Sequence, residues 1–393
     1  MKYTFIRAGF YALLVSLLLS DRATAQASIC GNYPGGRIAM SSDGNKSDAD
    51  DHGASAMAIA MLHYAGLLDK LVYVGHSSLY RSGCENAFGN WCHLMDSATT
   101  GALLKFGGDT SIVYNYQDDF SDNNQLDQSI SALTAAIDAS SAGDSLWIYC
   151  AGPMDVVYRA IDNAQPSKRA FIKCISHSSW NENSVFGGLQ YTWSDIKSSF
   201  SADGVEFYEI KDQNRSNGQL DFRDESSPAG SNWTWMTDQS APAVWQWLRN
   251  RNLDQWFIQT NKAGDFDISD SGMMYWLISG GPNGGCDTCG TLQVEELFKN
   301  PCSAVFTEEI EEAFDQTVDI YPNPGADHIY IQFGQKLQTG RLQLLSAGGT
   351  LLLDQQISGS NSEELNLSQF ERGIYLLLVE ADDFRESFKI VLQ

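Results

Sequence analysis

At 393 residues with 43% hydrophobic side chains, the chain has room for more than one domain and is too apolar for wholesale disorder. Its formal charge of −24 at pH 7 argues against nucleic acid as a partner, because no Lys/Arg cluster exists to replace phosphate counterions, and it disfavours anionic membrane surfaces. Lys2 and Arg7 precede an apolar run from Phe10 to Leu19 and small residues up to Ala25 and Ala27, the pattern of a secretory signal peptide over 1–25. No later stretch is long and apolar enough to span a bilayer, so the expectation is an exported chain with no membrane span. Cys30 follows Ala27, Ser28 and Ile29, which do not form a lipoprotein cleavage box, and reads as an ordinary cysteine.

The next segment, RIAMSSDGNKSDADDHGASAMAIAML from Arg37 to Leu62, packs four aspartates into a glycine-containing loop between an apolar strand and an alanine-rich helix. Asp43 leaves the C-terminal end of the strand. Asp50 and Asp51 stand where the helix begins, either as caps favoured by the helix dipole or as part of a cation site. Beyond it KLVYVGHS reads as a strand, LDQSISALTAAIDAS as a helix, SLWIYC as a buried strand, MDVVYRAIDNA as a helix, and RAFIKCIS and GVEFYEI as further strands. Such alternation predicts an α/β domain over 30–302 with a mostly parallel sheet flanked by helices. Ligands collect at the C-terminal strand ends of such sheets, where Asp43 and Cys150-Ala151-Gly152 would both sit.

Eight cysteines in an exported chain favour pairing over catalysis. Cys84 and Cys92 bracket a Gly/Asn/Trp loop. Cys286 and Cys289, in a glycine-rich C-x-x-C with no second pair at zinc-finger spacing, read as a disulfide staple. Cys150 and Cys174 end two strands and could equally be buried thiols. His177 and SSWNENS, containing Trp180, Asn181, Glu182 and Asn183, follow the FIKCIS strand and reach the same end of the sheet, as a sugar-binding or a plain polar loop. His52 is either a site residue or a solvated first-turn residue. His63, His76, His93 and His328 show no partner pattern. The tryptophans from Trp233 to Trp256 either wall a pocket or fill a core, Trp276 reads as packing, and GGPNGG at Gly280 to Gly285 as a flexible loop.

In order along the chain, the acidic loop with its alanine-rich helix, CAGPMDVVYRAI and DISDSGMMYWLI resemble the nucleoside hydrolase fold, and more nearly its divergent nucleoside hydrolase-like relatives, over most of Arg37 to Gly281. The resemblance implies a single calcium ion (Ca2+) held by aspartates and a backbone carbonyl, with a bound water as nucleophile on the anomeric carbon. By position, Asp43 would be metal ligand and general base, and Asp50 would grip a sugar hydroxyl. Asp51, the carbonyl at Ala151 and Asp270 would complete the metal set, and Asn181, Glu182 and Asn183 would hold sugar hydroxyls. Two departures stand out. The loop is longer than the family's usual form and carries Asp48 as an extra carboxylate, and Ser269 replaces the histidine that protonates the leaving group in typical members.

An all-oxygen set suits calcium, which takes six to eight oxygen ligands, and carboxylates brought together without a cation would repel one another. Two expectations follow: a secreted calcium-dependent hydrolase (glycosidase) of N-glycosidic or related glycosidic bonds, acting on a nucleoside or glycan, or a non-catalytic sugar- or glycan-binding protein on the same fold. Ser269 favours the second; the aspartate set favours the first.

After the acidic linker TEEIEEAFDQ, within 303–317, the chain from Asp319 alternates apolar residues with turn signals, predicting a small all-β sandwich over 318–393. YPNP at Tyr321 to Pro324, GIYLLLV at Gly373 to Val379, and Lys389 followed by apolar residues closely resemble the C-terminal sorting domain of the type IX secretion system of Bacteroidetes-type bacteria. That resemblance implies passage through periplasm and outer membrane of a Gram-negative cell, and the type IX machinery as partner.

Overall fold

Strands too apolar to face water on either side form the centre of the larger domain. In this computed structural model β1 (Arg37–Ser42), β2 (Leu71–His76), β3 (Val113–Asn115), β4 (Leu146–Ala151), β5 (Ile172–Ser176) and β6 (Glu206–Glu209) pair in parallel in the order β3-β2-β1-β4-β5-β6. The structure describes residues 29–44, 49–76, 85–86, 89–90, 94–116, 124–152, 154–183, 185, 190–214, 222–224, 231–238, 240–252, 266–302, 318–346, 350–381 and 384–392. The signal peptide 1–25, Asp48, Cys84, Cys92, His93, Trp256 and the linker 303–317 lie outside the described residues.

The register aligns Met40 with Tyr149 and Tyr149 with Ile175, so these side chains share one face, while Cys150 and Cys174 point to the other. The helix α1 (Ala49–Tyr64) lies on the first face beside α2 (Leu94–Phe106); α3 (Asn124–Asp138) and α4 (Met154–Asn163) cover the second. A short α5 (Ser179–Asn183) follows β5, and α6 (Trp193–Phe200) joins the second face. A two-stranded ladder of β7 (Arg223–Asp224) and β8 (Phe266–Asp267) leads into α8 (Ser271–Ile278), which packs on the first face with α7 (Ala243–Asn252) and α9 (Thr291–Lys299). From Asp50 to His63 α1 is buried on all sides, which its alanine and methionine content permits. Strand order reverses between β1 and β4, and such a switch point opens a crevice at the C-terminal ends of both.

Sequence patterning did not identify α2 or β3. Ser97, Thr99, Thr100 and Gly101 give α2 the look of a loop, yet the helix is largely buried, and a Cβ at Gly101 would stand 2.9 Å from the Trp247 ring. The Trp233 to Trp247 run fills core: Trp233, Trp245 and Trp247 are buried, as is Trp276. GGPNGG forms a tight turn around a short 3-10 helix, Gly281–Asn283, with Gly285 N–H donating to Gly281 O at 2.7 Å, where a flexible loop was expected. Cys286 and Cys289 form the expected staple, Cys30 joins Cys302, and Cys150 and Cys174 are buried free thiols.

The C-terminal strands β9 (Val318–Tyr321), β10 (His328–Ser346), β11 (Leu351–Asn366), β12 (Gly373–Ala381) and β13 (Phe384–Leu392) are all antiparallel. Among the described residues they make one continuous sheet, where a sandwich was expected. The reason is β10, whose 19 residues pair with β9 in the first half, with β12 in the second and with β11 along both, shifting register between Gln332 and Leu337. Both halves share one core, with Ile329 and Ile331 from the first and Leu342 and Leu344 from the second. Against α2, Lys105 pairs with Asp319 at 3.3 Å with both side chains largely buried. Among the described residues no helix is long and apolar enough to cross a membrane.

The Cys30–Cys302 bond closes a loop with a sequence separation of 272, so it restricts the unfolded chain strongly. Replacing both cysteines by serine should lower unfolding free energy by about 2–5 kcal/mol. A denaturant midpoint equal to that of the parent would refute this.

Candidate functional site at the strand switch point

Three segments deliver four carboxylates to the crevice. At the end of β1 the Asp43 N–H donates to Ala151 O at 3.3 Å, carrying the β1–β4 ladder one step past the strands. A Cβ on Gly152 would stand 2.3 Å from Asp43 N and 3.1 Å from Asp43 Oδ1, so only glycine allows this closeness. Asp50 and Asp51 open α1, 8% and 5% exposed, where the exposed amides of a helix start favour negative charge. Asp270, 4% exposed, caps the start of α8 by position but makes no side-chain bond to that helix.

Asp50 bonds to the two residues just before α8. Its Oδ1 accepts the Asp270 N–H at 3.0 Å, and its Oδ2 accepts the Ser269 hydroxyl at 2.6 Å. The carboxylate of Asp270 turns away from α8, and its Oδ1 accepts from His177 Nε2 at 2.6 Å and from Asn181 Nδ2 at 2.9 Å. His177 lies just past β5, and its Nδ1 accepts the Gln213 N–H at 3.2 Å, which assigns the proton on Nε2. Gln213 is itself buried, and its Nε2 donates to Lys211 O at 2.6 Å and to Asp287 O at 3.1 Å. Asp287 sits inside the Cys286–Cys289 loop, so the disulfide helps fix the histidine that orients Asp270.

Tyr149 is at the floor of this arrangement. Its ring is 1% exposed, and among the described residues its hydroxyl has no hydrogen-bond partner. Burial, then the charges of Asp270, Asp50, Asp51 and Asp43, hold its pKa well above the usual phenol value. All four aspartates are therefore within electrostatic reach of one phenol, which stays protonated. Among the described residues no three Asp, Glu, His or Cys side chains form a ready cage for an ion. Oxygen donors from backbone and water would have to share such a role.

The three residues expected to hold sugar hydroxyls diverge. They lie on the short helix α5, not on a loop, and Asn181 reaches Asp270. Asn183 Nδ2 donates to Ser179 O of its own helix. Glu182 is half-buried, and burial pushes its carboxyl above the usual carboxylate range. His52 is buried, not solvated.

Sequence reasoning missed Tyr149 and Gln213. Tyr149 could have been found by alternation, since it precedes Ala151 by two and shares its face; nothing local marks Gln213. It also gave His76 no partner, yet its Nε2 lies 3.2 Å from Asp96 Oδ1, and Asn115 Nδ2 donates to Asp96 Oδ2 at 2.8 Å. Packing of the first turn of α2 against the ends of β2 and β3 makes that cluster.

Residues 319–393 match the family of the secretion system C-terminal sorting domain. Among solved structures an engineered protein aligns at 10% identity over 94% of this chain and 88% of its own, with a TM-score of 0.20. The FMN-binding beta-glucuronidase of Facaelibacterium prausnitzii L2-6 aligns at 10% identity over 90% and 56%, with a TM-score of 0.17. Neither likeness carries an argument about fold or activity. The uncharacterized protein P22 of Formosa agariphila is 32% identical over 281 residues, which are 95% of that protein and 70% of this chain. The chain thus belongs to the same family as P22, and its own sorting domain directs it by type IX secretion to the cell surface or beyond.

Proposed function

We propose that the protein is a calcium-dependent hydrolase of N-glycosidic or related glycosidic bonds, acting outside the cell on a nucleoside or glycan. The observation that carries this reading is the buried Tyr149 hydroxyl, without a hydrogen-bond partner among the described residues and within electrostatic reach of Asp43, Asp50, Asp51 and Asp270. A neutral donor amid converging carboxylates suits a ligand that brings both positive charge and oxygen atoms. Asp43, Asp51, Asp270 and the Ala151 carbonyl are the groups that would hold calcium, an all-oxygen set that matches its preference. A bound divalent cation supplies a water with lowered pKa.

The chain's own residues account for the rest. Asp43 accepts the proton of the water that attacks the anomeric carbon as the bond to the leaving group breaks. The surrounding carboxylates stabilise positive charge developing on the sugar. Asp50 binds a sugar hydroxyl beside the bonds it makes to Ser269 and Asp270, and Asn181 and Glu182 line the approach. Tyr149 keeps its proton and donates to a substrate or water oxygen. His177 acts through Asp270 by fixing its orientation.

A second reading, a sugar-binding protein without turnover, draws support from Ser269. Its hydroxyl lies 2.6 Å from Asp50 Oδ2, so its proton is committed there and it offers a leaving group no acid.

Calorimetric titration with calcium should show binding by the full chain that Asp51→Ala and Asp270→Ala abolish. His177→Ala should weaken it roughly 10–100-fold, the usual effect of removing a group that orients a ligand. Absence of calcium binding by folded parent protein would overturn the reading. Hydrolysis of nucleosides and aryl glycosides separates the two readings: an enzyme loses turnover in Asp43→Ala while keeping its fold, whereas a binder has none to lose. Gly152→Ala should destabilise the protein by about 1–3 kcal/mol through overpacking against Asp43, seen as a lower denaturant midpoint.

A further inference from the structure

Two disulfides in the described residues close loops of very different size, Cys30–Cys302 with a sequence separation of 272 and Cys286–Cys289 with one of 3. The restraint a disulfide places on the unfolded chain grows with the logarithm of the loop it closes, so the small loop adds much less to global stability than the large one. What it holds is local. Only Asp287 and Thr288 lie inside it, and the Asp287 carbonyl accepts from Gln213 Nε2 at 3.1 Å. The Cys286 N–H donates at 2.9 Å to the hydroxyl of Ser279, the residue that ends α8. Gln213 is pressed against the start of the same helix, where a Cβ on Gly272 would stand 2.5 Å from its Oε1. Its backbone N–H meets His177 Nδ1, and His177 Nε2 meets Asp270. Bonded contacts thus run without a break from the disulfide to a crevice carboxylate. Cys286 and Cys289 are half-buried beside an exposed Thr288, whereas the thiols of Cys150 and Cys174 are fully buried, so this is a sulfur pair that meets solvent.

We propose that the Cys286–Cys289 bond is a redox switch for the crevice, opened by a dithiol in solution and acting on Asp270 through Gln213 and His177. The proposal rests on the reading of Asp270 as part of a ligand site and adds the regulation of that site. A thiolate of the reductant attacks one sulfur, the Cys286–Cys289 bond breaks and a mixed disulfide forms. The second thiolate of the reductant then displaces the protein sulfur, and the reductant leaves as its own disulfide. Two electrons and two protons have passed to the protein, which ends with two thiols. With the bond open, the Asp287 carbonyl is no longer held toward Gln213, His177 loses the fixed amide that keeps its proton on Nε2, and Asp270 loses its preset direction. The bond persists in an oxidising exterior and opens where thiols accumulate.

The experiment treats the full chain with dithiothreitol, locates the opened bond by alkylation and peptide mass spectrometry, and compares the product with the double variant Cys286→Ser, Cys289→Ser. Two readouts follow removal of the reductant: the ring-nitrogen resonances of His177 in calcium-free protein, and calcium affinity by calorimetry. Expected in both the reduced parent and the double variant are shifted His177 resonances, a calcium affinity lower by roughly tenfold, and a denaturant midpoint close to that of the oxidised parent. Reoxidation should restore the parent values. In Gln213→Ala the resonances should already be shifted, and reduction should change them no further, because the bond acts through that side chain. Resistance of Cys286–Cys289 to the dithiol in folded protein, unshifted His177 resonances once it is open, or an undiminished effect of reduction in Gln213→Ala overturns the proposal. A midpoint that falls sharply in the double variant also overturns it, by making the bond a stability staple. Absence of calcium binding by the oxidised parent would instead remove the metal-dependent reading and leave the His177 resonances to decide the switch.

Discussion

The Asp50 carboxylate joins two helix starts, and the geometry of the crevice depends on that joint. From the first turn of α1 it accepts both the backbone N–H at the beginning of α8 and the hydroxyl beside it. The first amides of any helix lack partners within it, and a carboxylate is their strongest natural acceptor. In α8 the amides of Ser271, Gly272 and Met273 turn back to the carbonyls of Ile268, Ser269 and Asp270, and Asp50 takes the N–H just before them, so one carboxylate ties the start of α8 to α1. With those amides met by backbone carbonyls, the Asp270 side chain caps nothing in its own helix and is shared between His177 and Asn181.

The rest of the site is an exercise in fixing acidic groups that would otherwise separate. His177 is oriented by a backbone amide on one ring nitrogen and delivers its proton to Asp270 from the other. Gln213 ties that amide to the Cys286–Cys289 loop. A covalent staple at the surface of an exported protein thus supports a buried hydrogen bond at the end of the sheet, in a compartment where such staples persist. On the opposite face of the sheet Cys150 and Cys174 remain thiols, fully buried.

The secretion tail follows different physics. Its single curled sheet owes its shared core to one long strand that changes register partway, and Lys105 and Asp319 meet where it touches α2. Removing both charges from water is costly, and burial lowers the Lys105 pKa while Asp319 works against that shift. The contact therefore sets an orientation more than it adds stability.

Much of this was legible in the residue order. Apolar runs with turn signals gave the strands, alanine and methionine gave α1, and Asp43, Asp50, Asp51 and Asp270 stood out as acidic residues at element boundaries. The tail was marked by YPNP and its alternating strands. Local pattern reaches this far because strand and helix periodicities are properties of neighbouring residues. It failed at α2, whose Ser, Thr and Gly look like a loop until α1 and Trp247 are packed on them, and at Asn181 to Asn183, where three adjacent polar residues take different partners. The partners of Asp50, the proton position on His177 and the His76–Asp96 pair involve groups distant in the chain. The sequence by itself determined the acidic, exported α/β chain with its sorting tail and its boundary aspartates. Only the tertiary structure decided which of those aspartates hold helices, which is held by a histidine, and which phenol they surround, because parallel strand order brings together ends that the chain keeps far apart.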